Sequence, residues 1–140
     1  MNEKGFSVFE LLVTLSILAL VTGLTVSSLS GFGSSLKFRN QVRDLQSALQ
    51  TARYKAVYEN RPIRFSIEAG HIVLQARPGA TWQDEISIPI KKGLSVSLNA
   101  RPVFQPQGSA SPLCSIVVED SIRRAVITLS MAGRVSTRRG

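Results

Sequence analysis

The sequence predicts an α+β fold, in which one long helix packs on antiparallel β-strands, from three observations. An uncharged apolar run over residues 11–29 follows a single carboxylate at Glu10. Between Phe38 and Ala56 apolar residues recur every three or four positions, as on one face of a helix. After Pro62 the apolar period becomes two, with turn residues at short intervals, which indicates antiparallel strands.

The first element is an anchor over residues 6–30, after a five-residue polar leader (1–5). If helical, residues 6–29 span about 36 Å at about 1.5 Å per residue, enough to cross a hydrocarbon core of about 30 Å. Lys4 in the leader places the N-terminus on the cytoplasmic side. An ionisable group in a bilayer segment is costly, so Glu10 is a candidate functional residue.

The second element is an amphipathic helix over residues 31–61, and Gly31 and Gly33 at its start predict a joint or a short break. Pro62 disfavours helical geometry at the residue before it, so the helix should end near Asn60. Its apolar stripe is Phe38, Val42, Leu45, Leu49, Ala52 and Ala56. We expect this stripe to be domain core; the alternative is a coiled-coil contact with a partner helix.

The third element is a β-rich domain over residues 62–140 that ends in a basic tail, residues 134–140. The turn signals separate seven predicted strands, at about 63–67, 72–74, 85–89, 94–98, 103–105, 115–119 and 125–130. Such strands after one helix predict one antiparallel sheet or two small sheets covering the apolar stripe.

The charge of the chain favours a polyanionic partner or anionic lipid headgroups. Its formal net charge is +8, and twelve of its 17 basic residues are arginines. The pairs Asp84-Glu85 and Glu119-Asp120 are expected in turns, in contact with solvent.

The composition disfavours an enzyme. Cys114 is the single cysteine, which excludes a disulfide within the chain, and it is expected to be a buried small apolar residue. His71 is the single histidine, and neither a metal-ligand spacing nor a phosphate-binding glycine loop is present. We therefore expect no catalytic residues, no metal and no cofactor.

The N-terminus resembles prepilin-type signals, in which a short charged leader ends in glycine and precedes an aromatic residue, a carboxylate and an apolar helix. The matching residues are Gly5, Phe6 and Glu10. The resemblance implies that a membrane prepilin peptidase cuts between Gly5 and Phe6 and that Phe6 becomes N-methylated. Glu10 would then pair with the new terminal amino group of a neighbouring subunit in a filament. The alternative is a plain signal anchor in a single-span membrane protein.

Three segments resemble the GspH/FimT group of minor pilins and pseudopilins: residues 49–63, the Phe-x-Pro-x-Gly pattern at 104–108, and residues 127–135. This resemblance implies a type IV pilin-like fold with two small β-sheets on the helix. It also implies a minor pseudopilin of a type II secretion system, anchored in the bacterial inner membrane with its C-terminal domain in the periplasm. Its partners would be other pilins or pseudopilins. In the pilins that this chain resembles, a proline commonly kinks the anchor of major subunits. The anchor here has no proline, which favours a minor subunit over a major one.

The alternative within this group is a FimT-like pilin that binds DNA through a basic C-terminus beginning Gly-Arg. That motif maps to Gly133 and Arg134, with Arg138 and Arg139 beyond it. Contacts of arginine with phosphates are independent of sequence and sensitive to salt. The tail has no aromatic residues to stack on bases, so a solvated terminus, a headgroup contact and a contact with another pilin remain alternatives. Further basic residues that would enlarge this surface are Arg123, Arg124, Lys91, Lys92 and Arg101.

Overall fold

The computed structural model describes the backbone of residues 7–140 and the side chains of these residues except 24–32 and 139. The chain divides into two compact units, Met1–Leu36 and Lys37–Gly140. Helix α1 is Val8–Tyr58, and its helical assignment continues through Gly31 and Gly33, where we expected a joint or a short break. Gly5 and Phe6 lie outside the described residues.

Helix α1 begins at a side-chain cap. The hydroxyl of Ser7 accepts a hydrogen bond from the backbone N–H of Phe9 at 3.3 Å, and the Ser7 carbonyl accepts the N–H of Leu11 at 3.2 Å. Ser7 is thus the N-cap, and Glu10 is the third helical residue, the Ser-x-x-Glu spacing of a capping box. A carboxylate in the first turn is stabilised by the positive end of the helix dipole.

The other end of α1 closes at Asn60, as the sequence predicts. Asn60 has a positive φ of 50°, and the N–H of Arg61 donates to the Ala56 carbonyl at 3.2 Å. This left-handed residue with a bond back across the last turn is a common helix C-cap, which asparagine tolerates well. Pro62 then leads into the first strand.

The rest of the chain forms nine strands in two antiparallel sheets. Their bounds are β1 Ile63–Glu68, β2 His71–Ala76, β3 Gln83–Pro89, β4 Ser95–Leu98, β5 Val103–Phe104, β6 Ala110–Ser111, β7 Cys114–Glu119, β8 Arg124–Leu129 and β9 Val135–Arg139. The first sheet has the order β3-β2-β1-β5-β6 and the second β4-β7-β8-β9. The α+β architecture and the two sheets are confirmed.

The apolar stripe of α1 lies in the core of the second unit. All six of its residues are at most 4% exposed, together with Ala48 one turn from Leu45 and Ala52. Burying a leucine or phenylalanine fully contributes about 1.5–3 kcal/mol, so this helix face and the sheets depend on each other for stability. The expectation that the stripe is domain core is confirmed.

The second sheet buries one face against this core. Alternate residues of its two central strands are buried: Cys114, Ile116, Val118, Ala125, Ile127 and Leu129. Because successive residues of a strand point to opposite faces, Val126 and Thr128 lie on the outer face. The buried position of Cys114 is the one expected for it.

Two strands differ from the sequence prediction. The expected basic tail over residues 134–140 contains β9, which pairs with β8 from Leu129↔Val135 to Ala125↔Arg139. The short strand β6 was also missed. Only one residue of β9, Val135, is apolar, so the alternation that marks a half-buried strand is absent there. Pairing with β8 makes this segment a strand.

Candidate interaction site at the end of the helix

Glu10, the first of the expected site residues, is exposed on α1. Its own carbonyl accepts a hydrogen bond from the Thr14 hydroxyl at 3.0 Å, so the threonine is satisfied within the helix. Over the described residues, no helix is both long and apolar enough to cross a membrane.

Arg123 ends the turn between β7 and β8, Arg124 is the first residue of β8, and each has an acidic neighbour. One oxygen of the Asp120 carboxylate accepts the backbone N–H groups of Ile122 at 2.8 Å and of Arg123 at 2.6 Å. The Arg123 guanidinium lies 3.8 Å from the other oxygen, and Arg124 pairs with Glu119 at 3.1 Å. The hydrogen bonds from Ile122 and Arg123 hold the pKa of Asp120 below its ordinary value. We refer to residues 119–124 as the closed turn.

Arg134 and Arg138 differ from these two arginines. Arg134 ends the turn between β8 and β9, and its backbone N–H donates to the Ser130 hydroxyl at 3.1 Å. Arg138 pairs with Val126 in the register and so lies on the outer face of the second sheet. Both side chains are exposed and make no ion pair with the described residues. Arg139 belongs to β9, and its side chain is outside the described part.

We refer to residues 130–134 as the open turn, and Arg53 of α1 holds it in place. The Arg53 guanidinium donates to the carbonyls of Gly108 at 3.2 Å and Gly133 at 3.5 Å. Both glycines have positive φ, 83° and 71°. A Cβ at Gly133 would lie 2.5 Å from the Gly108 oxygen, closer than any real contact. The glycines of the two C-terminal segments that resemble GspH/FimT proteins therefore meet at one helix arginine.

A groove of about 860 Å³ lies beside the open turn. Its walls are Gln50, Arg53, Tyr54 and Val57 from α1 and residues 132–135 from the turn and β9. Tyr54 and Tyr58 stack on each other, with ring centroids 5.6 Å apart and 9° between the planes, and both are largely exposed. The groove thus combines arginines with exposed aromatic and apolar surface.

This aromatic surface was not predicted from the sequence, because the basic tail itself contains no aromatic residue. The signal was available: Tyr54 and Tyr58 are four residues apart and off the buried stripe, so a helix presents them together on its exposed face. Tyr54 and Arg134 are 80 residues apart in the chain, and only the fold brings them to the same groove.

An ion-pair network fixes the end of α1 to β3. Lys55 contacts Glu85 at 2.7 Å and Glu59 at 3.2 Å, and Arg61 contacts both glutamates. The hydrogen bond with Glu85 raises the pKa of Lys55, and that with Arg61 lowers the pKa of Glu59. Asp84 and Glu85 are exposed, as expected, but the expectation that they lie in a turn is wrong, because both belong to β3 and Glu85 is paired with Lys55 and Arg61.

Lys91 is also paired, with Asp44 of α1 at 2.7 Å, and its backbone N–H donates to the side-chain oxygen of Gln41 at 2.9 Å. This lysine therefore fastens the loop between β3 and β4 to the helix. Of the additional basic residues that the sequence suggested for one polyanion surface, Lys91, Arg123 and Arg124 all have acidic partners.

The described residues give little support for a nucleophilic or metal-dependent catalytic site. Cys114 is 1% exposed and its thiol donates to the Ala100 carbonyl at 3.3 Å. Burial raises the pKa of this thiol to about 11, which makes it a poor nucleophile near neutral pH. His71 lies exposed at the start of β2, in the other sheet. No cluster of histidine, cysteine or acidic residues with metal-binding geometry is found between residues 7 and 140.

Comparison with known proteins gives one family and a common fold. Residues 41–133, more than half of the chain, match the family model described as "Type II transport protein GspH". The structure is similar to the minor pseudopilin EpsH from the type 2 secretion system of Vibrio cholerae, with a TM-score of 0.62 and 9% sequence identity. That match covers 74% of this chain and 97% of EpsH.

The structure is also similar to the type IV minor pilin FimU of Pseudomonas aeruginosa strain PAO1 in two crystal forms. In one, the TM-score is 0.58 at 16% identity, covering 76% of this chain and 92% of FimU. In the other, it is 0.55 at 17% identity, covering 71% and 91%. No curated protein sequence matches the chain significantly. At these identities the solved structures show a shared fold.

Proposed function

The chain belongs to the GspH family of type II transport proteins, and on that premise we propose that it is a minor pseudopilin of a type II protein secretion system. It would be a structural subunit of a short filament assembled at the bacterial inner membrane. The observation that carries the proposal is the family match, which runs from the buried helix stripe to the open turn. The structural likeness to a pseudopilin and a minor pilin supports the same conclusion.

Assembly would depend on the N-terminal segment. A prepilin peptidase would cut between Gly5 and Phe6, the new terminus would be methylated, and residues 6–30 would stay in the inner membrane with the domain in the periplasm. The new amino group of a neighbouring subunit would then meet Glu10, and the two charges would attract strongly in a medium of low dielectric. Supporting this role, Glu10 is exposed and lies in the first turn of the described helix.

Processing is tested by replacing Gly5 with leucine. Because the peptidase must approach the backbone at Gly5 closely, Gly5→Leu should remain at precursor mass, whereas Gly23→Leu, a matched change in open surroundings on α1, should be processed normally. The masses of the chains isolated from membranes decide the question. Mature mass for Gly5→Leu would contradict the proposed cleavage site.

The secretion assignment is tested by deleting the gene and restoring it in trans. The proposal predicts that exported proteins accumulate in the periplasm and that the wild-type chain restores their release. Normal secretion combined with lost DNA uptake would instead support the alternative function.

That alternative is a FimT-like minor pilin that binds DNA. Its supporting observation is that Arg134 and Arg138 make no ion pair within the part of the chain that the structure describes, and that Arg134 lines the same groove as Tyr54. Arginines contact phosphates, and aromatic rings stack on bases. The test is a salt titration of DNA binding by the full chain in detergent. Loss of binding in Arg134→Ala, Arg138→Ala and Arg139→Ala supports this function, and no binding at low salt eliminates it.

A further inference from the structure

Strand β9 is an open edge of the second sheet. It pairs with β8 on one side, and no strand of the described chain pairs with it on the other. The free edge extends over five residues without proline. Short strands, prolines and covering loops usually protect such edges, because their unpaired backbone groups accept further strands.

The hydrogen-bond register identifies the unpaired groups. The N–H of Ser130 donates to the Arg134 carbonyl and the N–H of Gly140 donates to the Arg124 carbonyl, each at 3.0 Å. In an antiparallel ladder, hydrogen-bonded pairs recur at every second residue. Residues 134, 136, 138 and 140 therefore bond to β8, and the N–H and C=O groups of Val135, Thr137 and Arg139 point outward.

The surface beside this edge offers contacts for an extended chain. Thr137 is held by Gln46 of α1, whose amide donates to the threonine hydroxyl at 2.7 Å. The groove lies between α1 and residues 132–135, with Tyr54 and Val57 as its apolar wall. A strand added beside β9 would bury this wall while satisfying the outward backbone groups.

The positive charge of this surface favours an occupant with acidic side chains. Arg134 and Arg138 are exposed and unpaired among the described residues, and Arg53 lines the groove. Acidic side chains on an incoming strand would lie close to these cations, because neighbouring strands are only about 4.8 Å apart. A second copy of β9 would instead place arginine near arginine.

The geometry points to the outer edge of β9 as a docking site for an extended acidic segment of a partner subunit, which adds as a further strand to the second sheet. A peptide fits better than a nucleic acid because the edge offers alternating donors and acceptors. Phosphates accept hydrogen bonds only and would leave the outward carbonyls unpaired. That the partner is a subunit rests on the proposed function. Edge pairing itself requires neither processing at Gly5 nor pairing by Glu10, so its failure would leave the proposed function standing.

The test uses the full chain in detergent and a capped peptide of alternating valine and glutamate, about seven residues long to match a strand. A peptide of alternating valine and lysine is the charge control, and a single-stranded DNA oligonucleotide is the competing ligand. We expect the acidic peptide to bind with an affinity that falls with salt, and the basic peptide not to bind. Equal binding of both peptides would overturn the proposed charge selection.

Two variants of Thr137 separate backbone pairing from charge. Thr137→Pro removes an outward N–H without breaking a bond to β8, and its ring obstructs the incoming strand. Thr137→Val also loses the Gln46 contact but keeps the N–H. We expect about tenfold or greater loss of peptide affinity in Thr137→Pro, no comparable loss in Thr137→Val, and unchanged DNA binding in both. Equal affinities of the two variants for the peptide would overturn the proposal.

Hydrogen exchange of the wild-type chain decides the case even where Thr137→Pro fails to fold. The acidic peptide should slow exchange at the amides of residues 135, 137 and 139, while residues 136 and 138 are already protected by β8. Absence of this alternating protection would overturn the edge-pairing model. DNA binding at the same surface without peptide binding would also overturn it, in favour of a nucleic-acid contact.

Discussion

The closed turn and the open turn join successive strands of the same sheet, and both carry arginines, yet they present them differently. In the closed turn, Asp120 binds two backbone N–H groups and stands beside Arg123. In the open turn, the Arg53 guanidinium donates to the Gly133 carbonyl, and Arg134 is exposed and makes no ion pair with any described residue. Arginines that look alike in the sequence therefore have acidic partners in the closed turn, whereas Arg134 in the open turn is available to an anionic ligand.

The largest effect is expected from breaking the open turn itself. Gly133→Ala forces a non-glycine residue to a φ of 71° and drives its Cβ into the Gly108 carbonyl. We expect this change to lower the free energy of unfolding by roughly 2–4 kcal/mol. Denaturant unfolding of the full chain in detergent measures the loss.

The matched control for that change is Gly70→Ala, which has a similar φ of 75° but open space around the added Cβ. Gly70→Ala should lower the free energy of unfolding only by the cost of the left-handed backbone conformation, about 1–2 kcal/mol. Equal losses in the two variants would show that the contact among Gly133, Gly108 and Arg53 does not constrain the open turn.

A smaller effect should distinguish the arginines by their availability. The double variant Arg134→Ala, Arg138→Ala and the double variant Arg123→Ala, Arg124→Ala lose the same formal charge. Because only the first pair makes no ion pair with the described residues, its loss should reduce the salt concentration needed for elution from immobilised heparin by more. Identical elution shifts would contradict the distinction between the two turns.

The smallest effect concerns the pH dependence of the closed turn. The pKa of Asp120 lies below its ordinary value of 3.8. The ionised carboxylate therefore stabilises the turn fully above pH 3.8, and this stabilisation is lost as the pH falls through the lowered pKa. The amide signals of Ile122 and Arg123 should shift in this acidic range, and Asp120→Asn should abolish the shift. A shift centred above pH 3.8 would contradict the lowering of the Asp120 pKa by the hydrogen bonds from Ile122 and Arg123.

Much of the fold follows from the sequence because it depends on local patterns. The buried stripe has helical spacing, Asn60 and Pro62 end the helix, and the strands β1, β2, β7 and β8 alternate or are continuously apolar. The strand β9 could not be predicted this way because Val135 is its only apolar residue. Its conformation is a consequence of the free edge of β8.

The candidate site was less predictable for the same physical reason. The contact of Arg123 with Asp120 spans three residues, and a local turn signal could have revealed it. Arg53 reaches Gly108 and Gly133 across 55 and 80 residues of sequence. Such contacts depend on how the sheets pack on the helix, so the sequence indicated the two glycines without indicating that they meet.

Assembly of the chain into a filament through Glu10 can be tested by co-purification with the other filament subunits from native membranes. We predict that Glu10→Ala remains in the membrane but no longer co-purifies with them. Ser7→Ala removes the hydroxyl that caps the same helix but keeps the carboxylate, so it should co-purify normally. Normal co-purification of Glu10→Ala would contradict assembly through this carboxylate.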